Sequence, residues 1–357
     1  MTTMNAAVFR AVDAPMGIEQ VGLANPGYGQ VLVKTAAAGV CHSDLHFLDG
    51  SWPMRLPAVL GHEAAGVVER TGEGVTYVQP GDHVILLFVA FCGKCRYCNA
   101  GRPNLCQEGR LRAPTLTIDG QQTAPFLGMS AFAEYMMVPE NALVRIRPDM
   151  PLDRAALIGC AVMTGIGAAI NTARVAAGST CAVIGCGGVG LNVVQGCALA
   201  GAGKIIAIDM LPNKLEMATT FGATHVIDAS STDALAAVRD LTEGGPDYAF
   251  EAIGLPQTIT QAWNMVRAGG EAVIVGMAPF RSEATISATD FLSEKVLRGC
   301  MYGSTRPRVD MPRIVDLYLS GRIKLDELVT RRLPLAGINE AFDAMKNGEV
   351  ARSVLVF

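Results

Sequence analysis

The sequence predicts an α/β protein with two parts, a strand-rich domain and a doubly wound parallel sheet. Three observations carry this. At 357 residues the chain exceeds the usual limit of one hydrophobic core. Its first 150 residues hold short runs of period-2 apolar character (AAVFRAV, QVLVKTAAAGV, GVVERTG, DHVILLF) broken by Gly and Pro turns. The middle third changes to β-branched, nearly unbroken apolar runs (TCAVIG, KIIAID, THVID, YAFEAIG, EAVIVG). Between them lie helix-like segments such as LNVVQGCALAGA and NKLEMATTFG, and strands apolar on both faces that alternate with helices imply a parallel sheet covered on each side. The tail, through PRIVDLYLSGRI and INEAFDAMKNGEVARSVLVF, predicts two amphipathic helices and a last strand.

Half of the residues are apolar, 17% are charged and the net charge is -4, which suits a compact soluble globule and argues against a nucleic-acid surface. The start, MTTMNAAVFRA, shows no secretory signal pattern. The longest apolar stretches, LIGCAVMTGIGAAI and CAVIGCGGVGLNVVQGCALAGAG, read as too short or too interrupted by glycine to cross a bilayer, so no membrane partner is expected. The expected location is the cytoplasm, where ten cysteines serve as thiols or metal ligands rather than disulfides.

After the run TCAVI comes Gly185-Cys186-Gly187-Gly188-Val189-Gly190, a G-x-G-x-x-G between a predicted strand and a predicted helix. Its glycines allow a tight turn, close approach of backbone amides to a pyrophosphate, and helix-on-strand packing. The next strand ends in Asp209, nineteen residues after Gly190, where a carboxylate can accept both hydroxyls of an adenosine ribose. Met210 and Leu211 follow with no arginine to answer a 2′-phosphate, which favours NAD over NADP.

Cys92, Cys95, Cys98 and Cys106 form C-x2-C-x2-C-x7-C, a spacing that can close a tetrahedral zinc shell and leave no position open for substrate. They are expected to staple a lobe with little core; an iron–sulfur cluster is the rival reading of four thiolates. A catalytic metal needs about three ligands and one exchangeable position. Candidates are Cys41 in GVCHSDLH, His62 and Glu63 in LGHEAAG, and Cys160 in LIGCAVMTG, since one histidine and two thiolates suit a zinc that binds an alcohol oxygen. His83 and His225 lie in strand-like runs, and Cys181, Cys186 and Cys197 look like small packing residues.

Taken together, these residues resemble the zinc-containing medium-chain alcohol dehydrogenases. The likeness runs through GHEAAG, the cysteine quartet, FLGMSAFAEY, GCGGVG and EAVIVG to ARSVLVF, covering essentially the whole chain. It implies a GroES-like β-rich catalytic domain over residues 1–161 with both zinc sites, a Rossmann NAD-binding domain over 162–301, and a return to the catalytic domain over 302–357. By the same resemblance Cys41, His62 and Cys160 would hold the catalytic zinc, with Glu63 an occasional ligand and Asp44 orienting His62, and the quartet would hold a structural zinc. Gly185, Gly187, Gly188, Val189, Asp209 and Lys214 would contact the dinucleotide; Thr164, Val275 and Cys300 would line the nicotinamide, and Arg352 would bind the pyrophosphate. Zinc would polarise the alcohol oxygen while the proton leaves through Ser43, the cofactor ribose and His46.

Two departures stand out. His42 replaces the arginine that several relatives carry beside the first zinc ligand, which predicts a weaker phosphate contact and faster NADH release. Trp52 stands where the glutathione-dependent formaldehyde dehydrogenases use an acidic residue, although Arg110 aligns with their arginine and could hold a substrate carboxylate. With Phe88, Leu111, Phe126, Leu127, Met277 and Met301, Trp52 is expected to form an apolar barrel for a medium-chain or aromatic primary alcohol. The main expectation is therefore an NAD-dependent zinc alcohol dehydrogenase, working in either direction as a homodimer or tetramer paired through VLRGCMYG. A mycothiol- or glutathione-adduct formaldehyde dehydrogenase is the alternative, and a non-catalytic NAD- and zinc-binding protein is the reading from another class.

Overall fold

A computed structural model describes residues 2–109 and 113–357, which leaves Arg110 and Leu111 of the expected substrate wall outside the described residues. The chain divides into two compact units, residues 1–160 with 306–357, and residues 161–305. The second division falls four residues beyond the expected 301, because the turn Tyr302–Ser304 packs backbone to backbone on the helix Met163–Gly167. A Cβ at Gly167 would come within 2.8 Å of the Gly303 Cα.

The first unit is built on two sheets. In the larger, Gln30–Gly39 pairs antiparallel with Glu63–Thr71, with Tyr135–Pro139 and with the closing strand Arg352–Val356, so an early strand and the last one lie side by side. Val329–Leu333, a strand not anticipated from the sequence, runs parallel to that last strand. The smaller sheet is led by Thr2–Phe9 and Gly17–Leu23, and the two share a continuous apolar core that includes Phe9, Leu23, Leu32, Leu60 and Phe132. The tail helices Pro307–Leu319 and Ile338–Lys346 complete the unit, the second burying Ile338, Ala341, Phe342 and Met345 in that core.

The second unit is a six-stranded, all-parallel sheet in which Thr180–Ile184 lies between Lys204–Asp209 and Tyr248–Glu251. His225–Asp228 flanks one side, Glu271–Ile274 and then Val296–Gly299 the other, giving the doubly wound order in which ligands bind where the strand order reverses. Its core is centred on Trp263, with Ile206, Ile208, Val238 and Ala262 around it.

One stretch differs from its sequence reading. LIGCAVMTGIGAAI lies within helical backbone running from Leu152 to Ala173, 22 residues that include an 18-residue stretch with a mean hydropathy of 1.6, long enough to cross a bilayer by length and composition. Of that stretch, 83% is buried inside the protein, as expected for a core helix. Its glycines do not interrupt it, because they are where it packs most closely: a Cβ at Gly165 would come within 2.5 Å of the Asn192 Cβ.

Candidate active site

Local structure brings Cys41, His62, Glu63 and Cys160 together within the first unit. Cys41 ends the segment after Gln30–Gly39 with extended backbone and precedes the helix His42–Leu48, its carbonyl accepting from the amides of Asp44 and Leu45. In the first turn of that helix, where a negative charge is favoured, Asp44 is fully buried. His62 follows Gly61, whose φ of +93° turns the chain into Glu63–Thr71. Cys160 comes from the helical run, at the middle of the π-helical turn Ile158–Val162. Such turns insert one extra residue and re-aim side chains at functional sites. The preceding helix Leu152–Leu157 packs on the strands Gln30–Gly39 and Glu63–Thr71, which delivers Cys160 to the other ligands.

The donor set calls for a cation. The ligand atoms of the four residues all lie within 4.8 Å of one another, each residue buried. Ligands about 2.0–2.3 Å from a tetrahedral zinc stand about 3.3–3.8 Å apart, so only small movements separate this arrangement from a closed shell. Asp44 Oδ1 lies 2.9 Å from His62 Nδ1 and accepts from the Gly61 amide at 3.2 Å, which leaves His62 Nε2 free to ligate. Asp44 Oδ2 and both Glu63 oxygens are buried without a hydrogen-bond partner among the described residues. Burial works against a charged His62, yet the negative charges of Asp44 and Cys41 more than offset it and hold the imidazole pKa well above its usual value. A hydrogen bond from the Cys160 thiol keeps Cys41 well below the ordinary thiol range, and the same bond with burial pushes Cys160 up. Glu63 is raised to about 8, first by burial and then by Cys41. A buried arginine stands beside these groups.

That arginine is Arg352. Expected at the pyrophosphate, it also places Nη1 3.6 Å from Glu63 and donates to the Val40 carbonyl at 3.1 Å, at 4% exposure. Room for the Glu63 carboxylate comes from Gly39, where a Cβ would collide with Oε2. Neither feature had a signal in the sequence.

Ser43 Oγ lies 3.8 Å from Cys41 Sγ. His46 is half-buried on the same helix, with its Nδ1 unpartnered among the described residues, and His42 is exposed at the helix start. Around His62 stands an aromatic wall: Phe88 and Phe126 meet its ring edge-on at 5.6 and 6.5 Å, and Phe47 packs on Phe126 at 4.9 Å and Trp52 at 6.3 Å. Phe47 was not anticipated; it is one of several apolar residues on a short helix, and nothing in its spacing marks it. Leu127 adjoins Phe126 with a φ of +48°. Met277 and Met301 belong to the second unit, with Met301 43% exposed.

The quartet is built differently. Cys92, Cys95, Cys98 and Cys106 are half-exposed, with Cys92 and Cys98 Sγ 4.0 Å apart and Cys95 and Cys106 Sγ 3.9 Å apart, close to the edge of a tetrahedral zinc–thiolate shell. The amides of Cys92 and Cys95 donate to the sulfurs of Cys106 and Cys92, each at 3.2 Å, and the Cys98 amide leads in lowering the Cys95 thiol to about 7. One side chain closes the neck of this lobe: Asn141 Nδ2 donates to the carbonyls of Phe91 at 2.8 Å and Gly109 at 3.4 Å.

The second unit carries the glycine loop. Gly187 caps the helix Gly188–Leu199, and a Cβ there would meet nothing within 4 Å, which leaves the helix N-terminus open to a phosphate. Gly185 has a φ of +91° and Gly190 packs on its carbonyl, so neither admits a side chain. Asp209 ends its strand beside this loop, accepting from the Cys186 amide at 2.7 Å through Oδ2 and from the Met210 amide at 2.8 Å through Oδ1. Lys214 is buried in the following helix, Val189 is half-buried, and Thr164 lies in the buried helix Met163–Gly167. Val275 follows the strand Glu271–Ile274, and Cys300 Sγ lies 3.4 Å from Thr172 Oγ1.

Comparison with known proteins gives these features a lineage. Residues 27–148 match the family model for the alcohol dehydrogenase GroES-like domain, and residues 188–320 that for zinc-binding dehydrogenases. The alcohol dehydrogenase class-3 of Drosophila melanogaster is 42% identical over 99% of this chain and 98% of its own length. Among solved structures, an alcohol dehydrogenase zinc-binding domain protein from Burkholderia ambifaria superposes with a TM-score of 0.94 at 35% identity, covering 100% of this chain and 99% of the other. The benzyl alcohol dehydrogenase of Acinetobacter calcoaceticus also gives 0.94, at 34% identity over the whole of both chains. Shared descent over the full length, together with a buried thiolate and imidazole cluster of the right dimensions, places the chain in the zinc-containing medium-chain alcohol dehydrogenase family.

Proposed function

We propose that this protein is an NAD-dependent dehydrogenase that interconverts an apolar, preferentially aromatic, primary alcohol and its aldehyde. The observation that carries this reading is the aromatic wall beside the buried ligand set, with Phe47, Trp52, Phe88 and Phe126 grouped around His62. Cys41, His62 and Cys160 would hold the catalytic zinc, with Glu63 in reserve, and Cys92, Cys95, Cys98 and Cys106 the structural one. When bound, the zinc supplies Lewis-acid polarisation of the substrate oxygen and NAD the hydride acceptor. Ser43 Oγ, beside Cys41, would accept the alcohol proton while releasing its own hydroxyl proton towards solvent by way of His46, three residues on along the same helix. Asp44 fixes the His62 tautomer, and the rings exclude water from the reacting carbon.

Asp209 supports NAD over NADP through its carboxylate at the strand end, with no arginine in the two positions that follow. His42 in place of an arginine supports rapid release of NADH; stopped-flow displacement should find NADH leaving His42→Arg several-fold more slowly. The exposed last strand of the second unit, Val296–Gly299, with Leu292 90% exposed beside it, supports a homodimer formed by edge pairing, which light scattering would measure. The cytoplasm fits ten cysteines that are all free thiols.

The alcohol dehydrogenase class-3 relative supports a second reading, a formaldehyde dehydrogenase acting on a thiol adduct. A steady-state panel of alcohols and aldehydes with NAD(H), run with and without glutathione or mycothiol, separates them. Preference for benzyl-type alcohols without added thiol supports the first; turnover of formaldehyde only when thiol is present overturns it. Protein that binds NAD and zinc yet turns over no alcohol or aldehyde, with or without thiol, would be the non-catalytic NAD- and zinc-binding alternative.

A further inference from the structure

We infer that Glu251 is a positioning residue for the dinucleotide, holding the loop that follows it against the phosphate-binding glycines. The inference rests on reading Gly185–Gly190 as the nucleotide cradle. Glu251 ends the strand Tyr248–Glu251, which neighbours Thr180–Ile184 at the point where strand order reverses, and its side chain is fully buried. A buried carboxylate costs several kcal/mol unless it is hydrogen-bonded, so the full burial of Glu251 at this strand end requires a role.

Its partners indicate that role. Oε1 alone accepts three hydrogen bonds, from the amides of Ile253 at 2.9 Å and Gly254 at 2.6 Å and from Thr258 Oγ1 at 2.8 Å. The Glu251 carbonyl accepts from the amides of Val275 at 2.8 Å and Gly276 at 3.0 Å. One residue thus joins two loops at the carboxyl ends of adjacent strands. They meet with no space for side chains: Gly254 has a φ of +92°, and a Cβ there would lie 2.6 Å from the Met277 carbonyl carbon. Glu251 Oε2 faces Gly276, where a Cβ would come within 2.7 Å.

On its other side the same loop touches the cradle. A Cβ at Gly185 would lie 2.5 Å from Ile253 Cγ1, so the position of Ile253 limits where the first glycine turn can sit. Ile253 is nevertheless 43% exposed, an aliphatic face left open at the mouth of the cradle. Three charge-assisted hydrogen bonds set that face and the glycine turn as one rigid surface before a nucleotide arrives, and preorganisation of this kind appears as affinity.

The test is Glu251→Ala beside Glu251→Gln, which keeps the oxygen that accepts all three donors. The readouts are NADH affinity by fluorescence titration, zinc content, melting temperature, and kcat at saturating NAD. Glu251→Ala should weaken NADH binding about tenfold or more, the equivalent of one lost charge-assisted hydrogen bond, with two zincs retained and kcat within about twofold. Glu251→Gln should restore affinity to within about threefold of wild type. Unchanged NADH affinity in Glu251→Ala, or loss in both variants alike, overturns the assignment. If Glu251→Ala does not fold, Thr258→Val removes one of the three donors and should weaken NADH about threefold, and an unchanged affinity there also overturns it. Wild-type protein that fails to bind NADH would instead sink the cradle reading on which the inference depends.

Discussion

The chain holds two ligand clusters of opposite construction. The quartet draws four identical thiols from fifteen consecutive residues and leaves them half-exposed in a lobe with few buried side chains. The buried set draws a nitrogen, two sulfurs and a carboxylate from segments 21 and 98 residues apart, each fixed by a different strand or helix. In the first, sequence proximity does the gathering and the metal must supply order; in the second, the fold gathers and the metal receives a site already formed. On the function proposed above, that difference separates a metal for stability from a metal for chemistry, and each half of it can be broken by experiment.

The largest effect is expected from Cys41→Ser. Losing the polarising ion should lower kcat/KM by about a thousandfold or more, while the melting temperature moves by only a few degrees because paired strands and the helix packed on them hold the ligands. A large fall in melting temperature would show that the buried set is structural too. Next comes Cys92→Ser, which should reduce the zinc content from two to one per chain and lower the melting temperature by about 5–10 °C, with turnover per folded molecule largely kept. If turnover is lost at an unaltered melting temperature, the roles of the clusters are reversed.

Gly39→Ala sharpens the contrast. Its new Cβ would displace the Glu63 carboxylate, so chelator-driven release of one zinc per chain should change several-fold while release of the other stays constant. Identical release curves for variant and wild type would mean that Glu63 has no influence on the buried metal. The smallest effect belongs to Asn141→Ala, which unties the two ends of the lobe and should cost about 1–2 kcal/mol in thermal or denaturant unfolding, with the buried site unaffected.

The same contrast governs what could be read from the residues. Cys92 to Cys106 and Gly185 to Gly190 are local patterns whose geometry follows from spacing, and Asp209 follows from the strand that ends in it. Cys41, His62 and Cys160 have no spacing pattern between them; residue type makes them candidates and the resemblance joins them as one set, because their proximity is made by strand pairing and by a helix laid across two strands. Glu251 was invisible for a related reason. In YAFEAIG it looks like the polar end of a strand, and its importance lies in amides that belong to the residues after it. The helical run over 152–173 was misjudged because glycine is a weak helix former in isolation, whereas here Gly165 and Gly167 permit contacts no larger residue would allow.

The wide turn at Ile158–Val162 has a consequence for how this protein can change. A regular helix advances about 100° per residue, so one additional residue shifts everything beyond it to a new phase. Cys160 sits inside that slip, and its aim is therefore a matter of counting as much as of chemistry. Deleting a single neighbour such as Ala161 would leave every ligand present and still turn the thiol away, a lesion that no inventory of side chains would reveal.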